Sequence, residues 1–171
     1  MTPRRRAGAL WATAWALAAL VCTLGGWTFV HVRGDGDLRY AKARDAALGD
    51  GRRDIAALTT VDSGHLGRDL GTWLAVTTGP LHDTLARTHT ADETSLRRSG
   101  ASTRGTVTDA AVTELDTRAG TARLIATAEV RTTPRTGAPA TDRKRFEATL
   151  ARTPRGWKLT ALTAVPAGGA S

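Results

Sequence analysis

The chain has 171 residues, enough for one domain of ordinary size and too few for two separate cores. Its formal net charge of +8 suits a nucleic-acid binder, but all 16 acidic residues lie beyond position 33, interspersed with the basic residues there. Aromatic residues make up only 5% of the chain, so the base-stacking platforms of single-strand binders are missing. The composition therefore indicates a mildly basic, solvated surface and predicts no nucleic-acid partner.

Residues 7–32 carry no formal charge and are predicted to form a membrane-spanning helix. As a helix this segment would reach roughly 39 Å, more than the ~30 Å hydrocarbon core of a bilayer. Trp11 and Trp27 fall near its two ends, where indole rings prefer the interface with water. The run is too long for the apolar region of a cleaved signal peptide and ends in bulky residues, which favours an uncleaved anchor over that alternative.

Charge beside this segment predicts its orientation. Arg4, Arg5 and Arg6 precede it, and the positive-inside rule puts them in the cytoplasm. We therefore expect a cytoplasmic basic head (1–6), the anchor (7–32), a linker (33–37), an extracytoplasmic domain (38–166) and a disordered tail (167–171).

The first half of that domain has helical periodicity. An apolar side runs from Leu38 to Leu58 and is interrupted at 49–51, which predicts two short helices or one with a break. A turn at 62–64 precedes a second apolar stripe, made of Leu66, Leu70, Trp73, Leu74 and Thr77. Gly79-Pro80 is then predicted to separate this helix from another that continues to Thr88, and a polar stretch follows from Ser95 to Ser102.

The second half changes to a period of two. Alternation predicts four antiparallel strands at about 106–116, 122–131, 145–150 and 157–165, joined by hairpins. Helices followed by a strand meander indicate an α+β fold, with helices covering one face of a curved four-stranded antiparallel sheet.

Residues that could carry chemistry are few. The one cysteine, Cys22, lies in the predicted anchor, so neither an intrachain disulfide nor a thiolate metal cluster is expected. No histidine has zinc-type spacing to a carboxylate, and no nucleophile turn of the G-x-S-x-G type occurs. We predict no catalytic residue, no metal and no cofactor, although His65 with Asp62, or His82 with Asp83, could form an acid–base pair.

The order of motifs is nevertheless distinctive. Behind the basic head and anchor come Arg39-x-x-x-Ala43-Arg44-x-Ala46-Ala47-Leu48, Leu58-Thr59-Thr60-Val61-Asp62, Leu74-x-x-Thr77-Thr78-Gly79-Pro80-Leu81, Arg104-Gly105-x-Val107 and Gly156-Trp157-Lys158-Leu159. This sequence resembles the Mce-associated membrane proteins of actinobacteria over nearly its whole length. It departs from them at Pro80-Leu81, where many relatives have an acidic residue and Phe.

The resemblance implies a cone-shaped domain of the nuclear-transport-factor-two-like type, also called SnoaL-like or cystatin-like. It also implies a non-enzymatic accessory role in the cell membrane beside Mce-type lipid importers. The expected partners are membrane lipids, through the anchor, and proteins of an envelope transport complex. Proteins of similar shape also act as inner-membrane scaffolds of type IV secretion systems.

Two other functions stay open on the residues alone. One is a lipid or small-molecule binder with a cavity between helix 66–77 and the sheet, lined by Trp73, Leu74, Phe146 and Trp157. The other is a SnoaL-like enzyme that uses His65 or His82 with a nearby Asp.

Overall fold

A computed structural model of the chain describes residues 36–166. The predicted head, anchor and tail, including Arg4, Arg5, Arg6, Trp11 and Trp27, lie outside these residues. Within 36–166, no helix has both the length and the apolar character needed to span a bilayer. The described chain belongs to two compact units, of which 36–42 is helical and 43–166 contains the remaining elements.

In residues 36–166, helices come first and strands second, as predicted. Helix α1 covers residues 36–58 and thus includes 36 and 37, which were expected to end the linker. The further elements are α2 (Leu66–Ala75), α3 (Gly79–Ser99), β1 (Ser102–Asp116), β2 (Thr121–Thr133), β3 (Ala140–Thr153) and β4 (Gly156–Val165).

The four strands form one antiparallel sheet in the order β1-β2-β3-β4, which confirms the predicted meander. Its register shifts in β1 between Val107 and Asp109 and between Val112 and Glu114. A third shift lies between β3 and β4 at Thr149 and Leu150. Such bulges bend a strand and strengthen its twist.

One face of the sheet carries the hydrophobic core. Along β2 the even-numbered residues from 122 to 130 are buried, because side chains alternate between the two faces of a strand. Phe146 of β3 and Trp157 of β4 contribute to the same core, and Ala47 and Ile55 of α1 pack against it. The opposite face, bearing the odd-numbered residues of β2, is left without a helix in residues 43–166 and is called here the open face.

The predicted break in the first helix is wrong, because α1 continues through Gly49 and Gly51. Its buried residues are Ala47, Gly51, Asp54 and Ile55. Of the predicted apolar side, Ile55 is buried and Leu48 and Leu58 pack against the core, whereas Leu38 is exposed. A Cβ on Gly51 would lie 2.6 Å from Leu124 Cδ2. The glycine therefore serves close helix–sheet packing, which offsets its low helix propensity.

The predicted end of the third helix near Thr88 is also wrong. Helix α3 runs to Ser99, through the stretch expected to be a polar connection, and ends at Gly100 in the left-handed conformation. It buries no residue fully. Pairs one turn apart stabilise it instead: Arg97 bonds Glu93, and the Thr88 hydroxyl bonds Asp92 at 2.6 Å.

Candidate functional site

The four residues predicted to line a cavity occupy three different settings. Phe146 on β3 and Trp157 on β4 belong to the buried core, 7% and 5% exposed. Trp73 on α2 is half-buried, and its indole N–H donates to the carbonyls of Ala57 at 3.1 Å and Thr60 at 3.2 Å. Leu74 beside it is half-buried too.

Helix α2 packs against α3, whereas α1 and α3 are the helices in contact with strands. The structure thus brings Phe146 and Trp157 together and places Trp73 against the end of α1. A ligand cavity lined by all four side chains stays a prediction.

The two His–Asp pairs lie at the surface. His65 Nδ1 is 2.9 Å from Asp62 Oδ2 in the turn before α2, and both side chains are more than half exposed. His82 Nδ1 is 3.6 Å from Asp83 Oδ1 at the start of α3. His65 lies within hydrogen-bonding distance of Asp62, whereas His82 and Asp83 do not form a hydrogen bond, and both pairs lie at the surface rather than between helix and sheet.

The Asp62–His65 pair is also electrostatically unsuited to proton abstraction by the carboxylate. Hydrogen bonds from His65 and from the Gly64 backbone N–H lower the pKa of Asp62. A carboxylate held in its charged form is a weak base, because general bases work best with a pKa near the ambient pH. A surface hollow of about 240 Å³ borders His65 and is lined also by Arg68 and Arg97.

Sequence reasoning missed the most perturbed carboxyl group in residues 36–166. Asp54 of α1 is only 9% exposed, and its Oδ2 atom is buried without a hydrogen-bond partner. Burial, followed by the negative charge of Asp50, raises the pKa of Asp54 to about 7. The signal was present in the sequence, since Asp54 lies seven positions after Ala47 and beside Ile55 on the helix face that turns inward.

The open face of the sheet has an exposed apolar residue near its centre and ion pairs between neighbouring strands on either side of it. Ile125 is 44% exposed there. Toward one end of the face Arg123 pairs with Glu114 at 3.5 Å, and toward the other Arg143 pairs with Glu129 at 3.1 Å. In each pair the two opposite charges lie on neighbouring strands and neutralise each other.

One row of this face is different. Asp109, Thr127 and Arg145 are direct neighbours across β1, β2 and β3. Neither charged member of the row has an ion pair or a side-chain hydrogen bond within the described part of the chain. Both line a shallow hollow of about 250 Å³ whose wall also includes Ile125 and Arg52. This row and Ile125 form the strongest candidate for an interaction site on the domain.

No protein-family model matches the sequence, and no curated protein is significantly similar to it. Solved structures are similar in fold. An IcmL-like type IV secretion system protein from Legionella pneumophila superposes with a TM-score of 0.59 at 14% identity, covering 73% of this chain and 94% of the other. The periplasmic domain of DotI gives 0.58 at 12% identity, covering 70% and 93%. CagV from Helicobacter pylori, a VirB8 homolog, gives 0.55 at 11% identity, covering 71% and 97%.

At these identities the likeness shows the fold. The described chain shares the α+β architecture of these three structures, with helices on a four-stranded antiparallel sheet, which confirms the predicted fold class.

Proposed function

We propose that the protein is a non-enzymatic, membrane-anchored scaffold or accessory subunit of the cell envelope, whose domain binds other envelope proteins outside the cytoplasm. The observation that carries this proposal is the shared fold: the DotI structure is of a periplasmic domain, and the IcmL-like protein and CagV belong to type IV secretion systems. The predicted anchor at 7–32, with three arginines before it, supports the same placement.

A binding role rather than catalysis is supported by the side chains themselves. Both His–Asp pairs are exposed, and the carboxylate of Asp62 is held in its charged form. The open face, in contrast, offers exposed apolar and charged groups on a rigid sheet, which is the usual composition of a protein-binding surface.

We further propose that the complex to which this subunit belongs is an Mce-type lipid importer. The support is the motif order of the sequence, from the segment at Arg39 to the terminal Gly156-Trp157-Lys158-Leu159 strand. Secretion-type complexes use the same fold, so the identity of the co-purified proteins decides between the two assemblies.

The location can be tested on intact cells with a membrane-impermeant maleimide. The full chain would carry Cys22→Ser to remove its cysteine and Thr136→Cys in the exposed loop between β2 and β3. We expect labelling without lysis. Labelling only after lysis would show that the domain is cytoplasmic and would overturn the envelope role.

The partners can be tested by crosslinking the wild-type chain in native membranes, followed by detergent extraction and mass spectrometry. Subunits of an Mce importer are the expected product. Recovery of secretion-type subunits would move the protein to that assembly, and recovery of cytosolic proteins alone would refute the scaffold role.

A further inference from the structure

We propose that Arg104 and Arg131, near one end of the open face, bind a dianionic phosphate group between their guanidinium groups. The ligand is inorganic phosphate or a phosphate monoester, either free in solution or carried as the headgroup of a phospholipid. This inference goes beyond the envelope role and does not depend on it, because it rests on the register and the charges of the sheet.

The two arginines are direct neighbours on adjacent strands. Arg104 of β1 lies opposite Arg131 of β2, which places their Cβ atoms about 4.5–5.5 Å apart. Both side chains are exposed, and Arg131 lies on the open face because Val130 before it is buried on the covered face. Like charges directly opposite each other destabilise a sheet. An anion between the two groups would remove this repulsion.

No carboxylate of residues 36–166 neutralises the pair. Neither guanidinium has an ion pair or a hydrogen bond in this part of the chain. Glu129 lies in the next row, about 6.6 Å along β2, but it pairs with Arg143 at 3.1 Å. Asp142 lies opposite the buried Val130, which places it on the other face of the sheet. Both positive charges are therefore available to a ligand.

The third member of the row adds a hydroxyl group. Thr141 of β3 lies opposite Arg131 on the side away from Arg104, and its exposed hydroxyl has no partner in the described chain. Each guanidinium can donate two parallel N–H bonds to the oxygens of a tetrahedral phosphate. The row thus offers donors from three strands to a ligand that lies above β2.

Charge favours a dianion over a carboxylate in this position. A phosphate monoester carries a charge of about −1.5 to −2 at pH 7 and has three strong acceptor oxygens. A side-chain carboxylate has a single charge and two oxygens, which one guanidinium already satisfies. The dianion neutralises both arginines at once, so the pair distinguishes phosphate from the carboxylates of a protein partner.

Arg145, on the same face, is unsuited to this ligand and provides a matched control. It shares its row with Asp109, whose carboxylate repels an anion, and its direct neighbour on β2 is the uncharged Thr127. Arg145→Gln therefore removes an exposed arginine from the open face without changing the Arg104–Arg131 pair.

Titration of the purified full-length chain in a non-ionic detergent tests the site. Inorganic phosphate, exchanged for chloride at constant ionic strength, should give saturable NMR shifts at the amides of Gly105 and Thr132, which adjoin the two arginines in sequence. Arg104→Gln or Arg131→Gln should weaken binding about tenfold or more, because each removes one of the two positive charges. Arg145→Gln should leave the affinity unchanged. An equal loss in all three variants would overturn the proposal.

Thermal unfolding gives a second measurement. The two arginines are adjacent only in the folded sheet, so a bound phosphate stabilises the folded state by mass action. At about ten times the dissociation constant, the unfolding midpoint of the wild type should rise by about 4–6 °C. The Arg104→Gln and Arg131→Gln variants should not respond. An equal rise in these variants would show a general salt effect and refute the site.

Two probes distinguish the sources of the phosphate. Inorganic phosphate presents the dianion in solution, and nanodiscs with phosphatidic acid, compared with discs of phosphatidylcholine alone, present a phosphate monoester at a bilayer surface. Shifts at Gly105 with the phosphatidic acid discs alone assign the site to a lipid headgroup, and shifts with inorganic phosphate assign it to a soluble ligand. No response to either probe, or a response to polyglutamate alone, would overturn the phosphate site.

The scaffold role is measured separately, by labelling and crosslinking of the chain in cells and membranes. The Arg104→Gln and Arg131→Gln variants should still recover the envelope proteins that the wild type recovers. A chain that binds phosphate but captures no envelope protein refutes the scaffold role alone, whereas captured envelope proteins without phosphate binding refute this site alone.

Discussion

The carboxylate of Asp50 accepts a hydrogen bond from the backbone N–H of Trp157 at 2.9 Å, joining residues that are 107 positions apart. Asp50 lies on α1, and Trp157 is the second residue of β4, just after the hairpin turn. The bond fixes the helix to one end of the sheet, and Trp157 packs into the core beside it. A single polar contact thus helps to set how α1 lies on the strands.

Replacing Asp50 by Ala should lower the free energy of unfolding by about 1–3 kcal/mol, because the N–H of Trp157 loses its acceptor in a partly buried site. Denaturant unfolding of the full chain in detergent, followed by circular dichroism, measures the loss. Asp45→Ala is the control, since that carboxylate is exposed and, among residues 36–166, its side chain bonds only its neighbour Arg44. Its effect should stay within about 0.5 kcal/mol, and equal effects would argue against the role of the Asp50 contact.

Asp54 should make stability depend on pH. Its pKa is raised from 3.8 to about 7 in the folded state, so the folded chain holds a proton that the unfolded chain has released between these values. The stability associated with Asp54 is therefore fully present below about pH 3.8 and is lost as the pH rises through about 7. Asp54→Asn should raise the free energy of unfolding at pH 8 by about 1–3 kcal/mol and flatten this slope.

Asp116 provides a control of opposite sign. Backbone N–H groups of Ala119 and then Arg118 hold the pKa of this carboxylate below its ordinary value. Its contribution is present at neutral pH and is lost as the pH falls through the lowered pKa. Asp116→Asn should therefore reduce stability at pH 8, and an Asp54→Asn variant that behaved in the same direction would contradict the assignment.

The strands could be predicted from the sequence because the sheet has one covered and one open face. Alternation from Ala122 to Arg131 follows directly from that asymmetry, and it gave β2 within two residues of its observed ends. The helices were harder. The close packing of Gly51 on Leu124 depends on residues far apart in sequence, so a glycine in a helix could not be distinguished from a helix break.

Alanine substitutions at Gly51 and Gly49 can distinguish a helix glycine required for close packing from one that is not. Gly51→Ala would bring a Cβ to 2.6 Å from Leu124 Cδ2, whereas nothing lies within 4 Å of a Cβ at Gly49. We expect Gly51→Ala to destabilise the full chain by about 1–3 kcal/mol through overpacking. Gly49→Ala should stabilise it by up to about 1 kcal/mol through helix propensity. Thermal unfolding of the two variants should therefore shift in opposite directions, and parallel shifts would refute the packing argument.

The charged row of the open face could not be predicted for a similar reason. Thr108 is the residue at which the register of β1 shifts, and this shift brings Asp109 opposite Thr127. Arg52 of α1 donates to the carbonyls of Val107 and Thr108, at 3.4 and 3.5 Å, and so stabilises the bulge. The bulge is stabilised by a helix side chain that is distant in sequence. The alternation of residues along a strand therefore cannot predict it.

The indole of Trp73 should stabilise the end of α1. The Trp73 N–H donates to the carbonyl of Ala57 in the last turn of α1, which also accepts from the Thr60 N–H, and to the carbonyl of Thr60 just beyond the helix. Trp73→Phe keeps an aromatic ring but removes the donor, and we expect it to cost about 0.5–1.5 kcal/mol. Hydrogen exchange of the full chain should then quicken at the amides of Thr59 and Thr60, which bond carbonyls of the same helical turns.

The amide of Gly100 is the internal reference for this experiment. It bonds the Leu96 carbonyl at the end of α3, far in sequence from the altered indole, and its exchange should not change. Local opening at the end of α1 exposes only the amides that the indole helps to order, so the effect should be confined there. Unchanged exchange at Thr59 and Thr60 would show that Trp73 contributes packing alone.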